Sequence, residues 1–168
     1  MHARDEIVLI VDRDNTETGC APRHEMRDRG LVHRACYILV FNSTGKLFIQ
    51  KRTMSKDVYP GYYDVAAGGV VLDGESYDES ARRELEEELG IRDTEISSHF
   101  TFFHEEGENQ VWGRVYSCIY DGELTLQAEE VESGFFADPE EVLALSEKDP
   151  FTPDGLYVLK RFFDPSIK

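Results

Sequence analysis

The sequence predicts an α/β fold in which a mixed β-sheet carries helices on both faces. Three observations predict it. Apolar, β-rich runs recur at residues 7–12, 36–41, 47–51, 96–103 and 111–120. In their midst, Tyr77–Leu89 is dominated by Glu, Leu, Ala and Arg and contains no proline, the composition of a helix. Near the C-terminus, Asp138-Pro139 and Thr152-Pro153 each pair a capping residue with a proline that suits a first helical turn.

Taken in order, residues 7–12 read as a first strand, and Asp14-Asn15 as the turn that follows. Pro22 opens a short helix through Arg29 that Gly30 ends. This helix is mostly charged, so it reads as a surface cover rather than a site, with His24 facing solvent. Residues 36–41 and 47–51 flank Asn42-Ser43-Thr44-Gly45-Lys46, a hairpin signal. A loop with Pro60-Gly61 leads to a short strand at 64–67, which delivers Gly68-Gly69; paired glycines allow close backbone approach to a ligand. Strands 96–103 and 111–120 form an antiparallel pair around an acidic turn at 105–109. A last strand at 134–137 precedes helices starting at Asp138 and at Thr152, the second running through Phe163. No repeat or low-complexity linker appears, so residues 1–168 read as one domain.

The organising stretch is GVVLDGESYDESARRELEEELGI, from Gly69 to Ile91. On a helix, Ala81, Leu85 and Leu89 stack as an apolar stripe, while Glu84, Glu87 and Glu88 fall together on an adjoining face. Like charges at this spacing destabilise a helix by roughly 0.2–0.5 kcal/mol per pair, so a cation is expected among them. Three carboxylates suit a hard divalent ion, Mg²⁺ or Mn²⁺. Gly69, Glu75, Arg83-Glu84-Leu85, Glu87-Glu88 and Gly90-Ile91 fill every fixed position of the Nudix box. Chance would fill a given window this way with a probability on the order of one in a billion. The chain is therefore identified as a member of the Nudix hydrolase family, a resemblance that covers about residues 33–154. It implies an α/β/α sandwich, a metal site at Glu84, Glu87 and Glu88 with the Gly69 carbonyl as a further ligand, and hydrolysis of a diphosphate linkage, usually in a nucleoside diphosphate derivative. Arg83 would orient the glutamates by ion pairing and Glu75 would be its structural partner. The general base stays open among Glu84, Glu88 and an extra carboxylate from Glu129, Glu130 or Glu132, with Glu130 the candidate carried forward.

Charge narrows the partners. With 34 Asp+Glu against 18 Lys+Arg the formal net charge is −16, which opposes binding to a nucleic acid polymer or an anionic membrane. A small anionic substrate must be drawn in by a local cation or metal. Cys20, Cys36 and Cys118 have no metal-ligand spacing and leave an odd thiol, so neither a zinc site nor a disulfide framework is indicated. The apolar run at residues 7–11 is too short for a signal sequence or membrane span. A cytoplasmic protein is expected, and a homodimer is left open.

Within the family, the flanks HRACYILVFN and LFIQKRTMSKDVYPGYYDVAAGG, with Trp112-Gly113 after the box, resemble the branch of type I isopentenyl-diphosphate isomerases. The decisive positions differ. The isomerase's cysteine and histidine fall at Gly68 and Val70, and its two glutamates at Arg114 and Tyr116, so isomerisation is not expected. The resemblance assigns Arg52 and Lys56 to the diphosphate. Tyr59, Tyr62, Tyr63, Phe103 and Trp112 are candidates either for a substrate pocket or for the core. Two alternatives stand beside nucleotide hydrolysis: hydrolysis of a prenyl or sugar diphosphate, and a non-catalytic nucleotide-binding module.

Overall fold

The computed structural model describes residues 2–168; Met1 lies outside the described residues. Its core strand is β3, His33–Phe41, which alternates between two buried faces. Cys36, Ile38 and Val40 pack on one side with Ala81, Leu85 and Leu89, whereas Ala35, Tyr37 and Leu39 pack on the other with Val142, Val158 and Leu159. Helix α2, Tyr77–Leu89, therefore covers one face. Helices α3, Pro139–Leu145, and α4, Pro153–Phe163, cover the other, giving the expected α/β/α sandwich. Leu85 and Leu89 are 2% and 0% exposed, so truncating either to alanine is expected to cost about 2–5 kcal/mol.

Around β3 the sheet is mixed. β7, Asn109–Ile119, runs parallel to β3 from His33↔Val111 to Phe41↔Ile119, and β6, Ser97–Glu106, pairs antiparallel with β7. On the other side β1, Ile7–Val11, meets β3 at Ile10↔His33. The expected hairpin between β3 and β4, Leu47–Arg52, pairs only at its mouth, Phe41↔Leu47. Beyond that point the strands part: β3 bridges Ala67 and Val70, while β4 pairs with β5, Tyr63–Asp64, and β8, Val131–Ala137. That divergence opens the space in which the box residues meet the loop after β4.

Some elements differ from the sequence reading. A strand β2, Glu17–Pro22, pairs with β1 although nothing in ETGCAP alternates. Its residues 17–20 are exposed at a sheet edge, so no core selects an apolar pattern there. The helix expected from Pro22 is α1, Arg23–Asp28, with Pro22 closing β2. The strand expected at 64–67 is β5 followed by isolated bridges, because Gly68 at φ +135° breaks the ladder. β8 starts at Val131 rather than 134; its polar first half shows no strand pattern in the sequence.

Candidate functional site

α2 is set rigidly at both ends. Ser76 accepts the Glu79 N–H at 3.1 Å, and the Glu79 carboxylate accepts the Ser76 N–H at 2.8 Å, a reciprocal cap legible in SxxE that the sequence reading passed over. At the other end Gly90 takes φ +69°, as its position implied. Between these caps the apolar stripe fixes the rotation of the helix and so aims Glu84 and Glu88 at Gly68 and Gly69. The fit is close: a Cβ on Gly69 would lie 2.7 Å from Glu84 Oε1.

The glutamates are not a solvated acidic face. Glu88 is 3% exposed and accepts the Gly68 N–H at 3.3 Å, while Glu87 stays half-exposed. Burial, with the charge of Glu84 adding to it, pushes the Glu88 carboxyl up to about 8. Burial raises Glu84 too, against the pull of Arg83. Arg83 donates from Nε and Nη2 to the two Glu75 oxygens at 2.8 and 3.0 Å, and from Nη1 to Glu84 and Glu87 at 2.9 and 3.1 Å. The fork matches the orienting role expected of Arg83 and the structural one of Glu75, which also accepts the Leu72 N–H at 2.9 Å.

Glu84, Glu87 and Glu88 share a cavity of about 500 Å³ with Lys56 and Glu130. The Lys56 ammonium pairs with the Glu130 carboxylate. Glu129 also lines this cavity, whereas Glu132 turns away to Lys51 at 3.3 Å. Among the described residues no three acidic, histidine or cysteine side chains already stand in a metal-holding cluster. The donor chemistry nevertheless fits a hard cation: buried carboxylates of like charge face one space, in which acids outnumber the basic residues Arg4, Arg23 and Lys56.

Two of the expected site residues already hold protein partners. The Gly69 carbonyl is engaged by the Cys36 N–H at 3.0 Å, and the neighbouring carbonyl, that of Gly68, accepts no backbone hydrogen bond among the described residues. Arg52 spends Nε and Nη2 on the Val58 carbonyl at 3.2 and 2.8 Å and Nη1 on Asp64 at 3.5 Å. It braces the loop after β4 instead of offering a free fork, and it lines a second, smaller cavity behind Gly68 and Gly69.

Other residues reach the site from places the sequence reading discounted. Helix α1 sends Arg23 into the box cavity and Arg27 into the smaller one, so it is more than a cover. Both guanidiniums contact Asp57, at 2.9 and 3.1 Å. Burial alone would raise Asp57, but the two cations outweigh it and hold its carboxyl well below the usual range. The i, i+4 spacing of Arg23 and Arg27, one turn apart, is the available signal. His24 is partly exposed, with Nδ1 3.0 Å from the Arg4 carbonyl. Of the aromatic candidates Tyr59 lines the smaller cavity, Tyr63 stacks on Phe151 at 5.4 Å, and Phe103 packs on Trp112 at 5.4 Å.

Comparison with known proteins identifies the family. A family model described as NUDIX domain matches residues 31–162. The uncharacterized Nudix hydrolase PA4841 of Pseudomonas aeruginosa is 48% identical over 159 residues, 95% of this chain and 94% of its own. The uncharacterized Nudix hydrolase YfcD of Escherichia coli strain K12 is 44% identical over 166 residues, 99% of this chain and 91% of its own. Among solved structures, DR0079 from Deinococcus radiodurans matches with a TM-score of 0.82 at 26% identity, covering 93% of this chain and 98% of that one. No helix among the described residues is long and apolar enough to cross a membrane. The family match spans the box helix, both glycines and the strands on either side of them, and its relatives extend over nearly the whole sequence; the chain belongs to the Nudix domain family and is a Nudix hydrolase.

Proposed function

We propose that this protein is a divalent-metal-dependent hydrolase that cleaves a diphosphate linkage in a nucleoside diphosphate derivative by attack of water at phosphorus. The observation that carries the reading is Glu88, a carboxylate 3% exposed beside Glu84 in a cavity that also holds Glu130. Burying like charges together costs several kcal/mol unless a cation joins them. Glu84, Glu87, Glu88 and the Gly68 carbonyl would hold Mg²⁺ or Mn²⁺. Such an ion, when bound, supplies neutralisation of phosphate oxygens and a lower pKa for bound water.

The chain's own residues then divide the work. Arg83 keeps Glu84 and Glu87 turned to the cavity through its fork to Glu75. Lys56 is the point charge for the diphosphate, and a phosphate that engages it competes with Glu130. Glu130, so released, is the carboxylate that takes the proton of the attacking water. Glu132 has no such role, because it pairs with Lys51 outside this cavity. The partner is a small diphosphate molecule, with no part for a nucleic acid polymer or a membrane in a chain of net charge −16.

The isomerase-like flanks do not bring isomerase chemistry. A Cβ at Gly68 would lie 2.0 Å from the Cys36 carbonyl oxygen, so a cysteine has no room there. Burial pushes the neighbouring Cys36 thiol up to about 12, which leaves it inert. The decisive experiment screens nucleoside diphosphates and triphosphates, nucleotide sugars, dinucleotides and prenyl diphosphates with Mg²⁺ and Mn²⁺. Hydrolysis that needs the metal and is lost in Glu88→Gln supports the proposal; hydrolysis indifferent to both overturns it.

A further inference from the structure

The smaller cavity behind Gly68 and Gly69 has a volume of about 80 Å³. It shares Arg23, Lys56 and the two glycines with the box cavity, so a molecule with its phosphates at the box can extend into it. Space of this size holds a handful of waters or one small polar group. Its lining changes character inward. Arg23 and Lys56 stand where the two cavities meet, whereas Asp64 and Asp154 line the inner one alone. Two carboxylates there oppose a second phosphate.

Both acids are held in place with acceptor capacity left. Asp64, 8% exposed, takes the Ala66 N–H on Oδ1 at 3.1 Å and Arg52 on Oδ2 at 3.5 Å. Asp154, in the first turn of α4, takes the Tyr37 hydroxyl on Oδ2 at 2.8 Å, and its Oδ1 accepts no hydrogen bond among the described residues. The cavity is thus rich in acceptors, with Arg27 as a donor beside them. The loop above it is pinned by Arg52 to the Val58 carbonyl and carries Tyr59 at φ +50°, strain of a kind that gathers at ligand clamps.

We infer that this inner cavity receives the hydroxyl-bearing edge of a sugar or polyol joined through phosphate, and that Asp64 and Asp154 are the residues that select it. The inference rests on the diphosphate-hydrolase reading for the placement of the phosphate. Hydroxyls donate to the carboxylates and accept from Arg27. An alkyl or prenyl chain would strip these groups of water and return no hydrogen bond.

The test is binding without turnover. Calorimetric titrations with Mg²⁺ would compare glucose 1-phosphate, ribose 5-phosphate and glycerol 3-phosphate with isopentyl phosphate, on the wild type, Asp154→Ala, Asp154→Asn and Asp64→Asn. The best polyol phosphate is expected to bind at least about tenfold tighter than isopentyl phosphate, with that preference lost in Asp154→Ala and partly restored in Asp154→Asn. Equal or tighter binding of isopentyl phosphate, or a preference unchanged in Asp154→Ala, overturns the inference. Asp154 begins α4, so its replacement keeps the test alive if the buried Asp64 variant fails to fold. Polyol preference that depends on Asp154 in a protein hydrolysing no diphosphate would support this subsite and sink only the hydrolase reading.

Discussion

The Lys56 ammonium rests against the Glu130 carboxylate, joining the loop after β4 to the turn before β8 across the cavity that holds the box glutamates. If Lys56 meets the diphosphate and Glu130 takes the proton from water, the two variants separate. Lys56→Ala is expected to lower kcat/KM about tenfold or more, about 1.4 kcal/mol of transition-state stabilisation, with Mn²⁺ affinity near wild type. Glu130→Gln is expected to lower kcat more than it raises KM and to remove the acidic limb of the pH–rate profile. An unchanged profile in Glu130→Gln would move the base to Glu84 or Glu88.

Arg52→Ala tests a different role. Because its donors go to Val58 and Asp64, the variant is expected to lose about 1–3 kcal/mol of stability and to loosen the loop 53–62. Urea denaturation measures the first and hydrogen exchange the second. A tenfold loss of kcat/KM with stability intact would instead return Arg52 to direct contact with the diphosphate.

Glu88→Gln gives opposite signs with and without metal. Its folded carboxyl titrates near 8 against an ordinary 4.5, so in metal-free protein the wild type loses stability as pH rises from 4.5 to 8 and levels off above. The glutamine variant has no such loss. In EDTA it is expected to melt above the wild type at pH 8 and to converge with it near pH 4.5. With Mn²⁺ the order reverses, since the variant binds the ion much more weakly. Thermal melts across pH, with calorimetry for Mn²⁺, check both halves; identical Mn²⁺ binding would remove Glu88 from the metal site.

Gly68→Ala probes the turn that presents the amide to Glu88. At φ +135°, with a Cβ 2.0 Å from a backbone oxygen, the strand must shift, and a loss of roughly 2–4 kcal/mol is expected. Neither wild type nor Gly68→Cys is expected to form dimethylallyl diphosphate from isopentenyl diphosphate. Detection of that product from pure wild-type protein would overturn the exclusion.

Local chemistry made much of this molecule legible. α2 was readable to the residue because its glutamates, leucines and Gly90 act within a few residues of one another. β2 was not, since an exposed edge strand needs only backbone partners and leaves no alternation to read. The hairpin of β3 and β4 was read correctly at its turn and wrongly along its length. Turn residues fix the mouth, but which neighbour β3 takes beyond Phe41 depends on competition with β7 and with Ala67 and Val70.

The sequence by itself determined the family, the box and the stripe that aims its glutamates, because those depend on residue type at fixed short spacings. Only the tertiary structure decided which acids and cations share a cavity. Glu130 meets Lys56 although 74 positions separate them, while Glu132, two positions from Glu130, faces Lys51. Glu130 lies in the turn before β8 and Glu132 within the strand, where the register shifts between Arg52↔Val131 and Lys51↔Ser133, so the two face different partners, and sheet pairing brings distant residues together. For the same reason Arg52 became a brace, Arg23 and Arg27 became cavity walls, and Asp64 and Asp154, unremarkable in sequence, came to line the space behind the box.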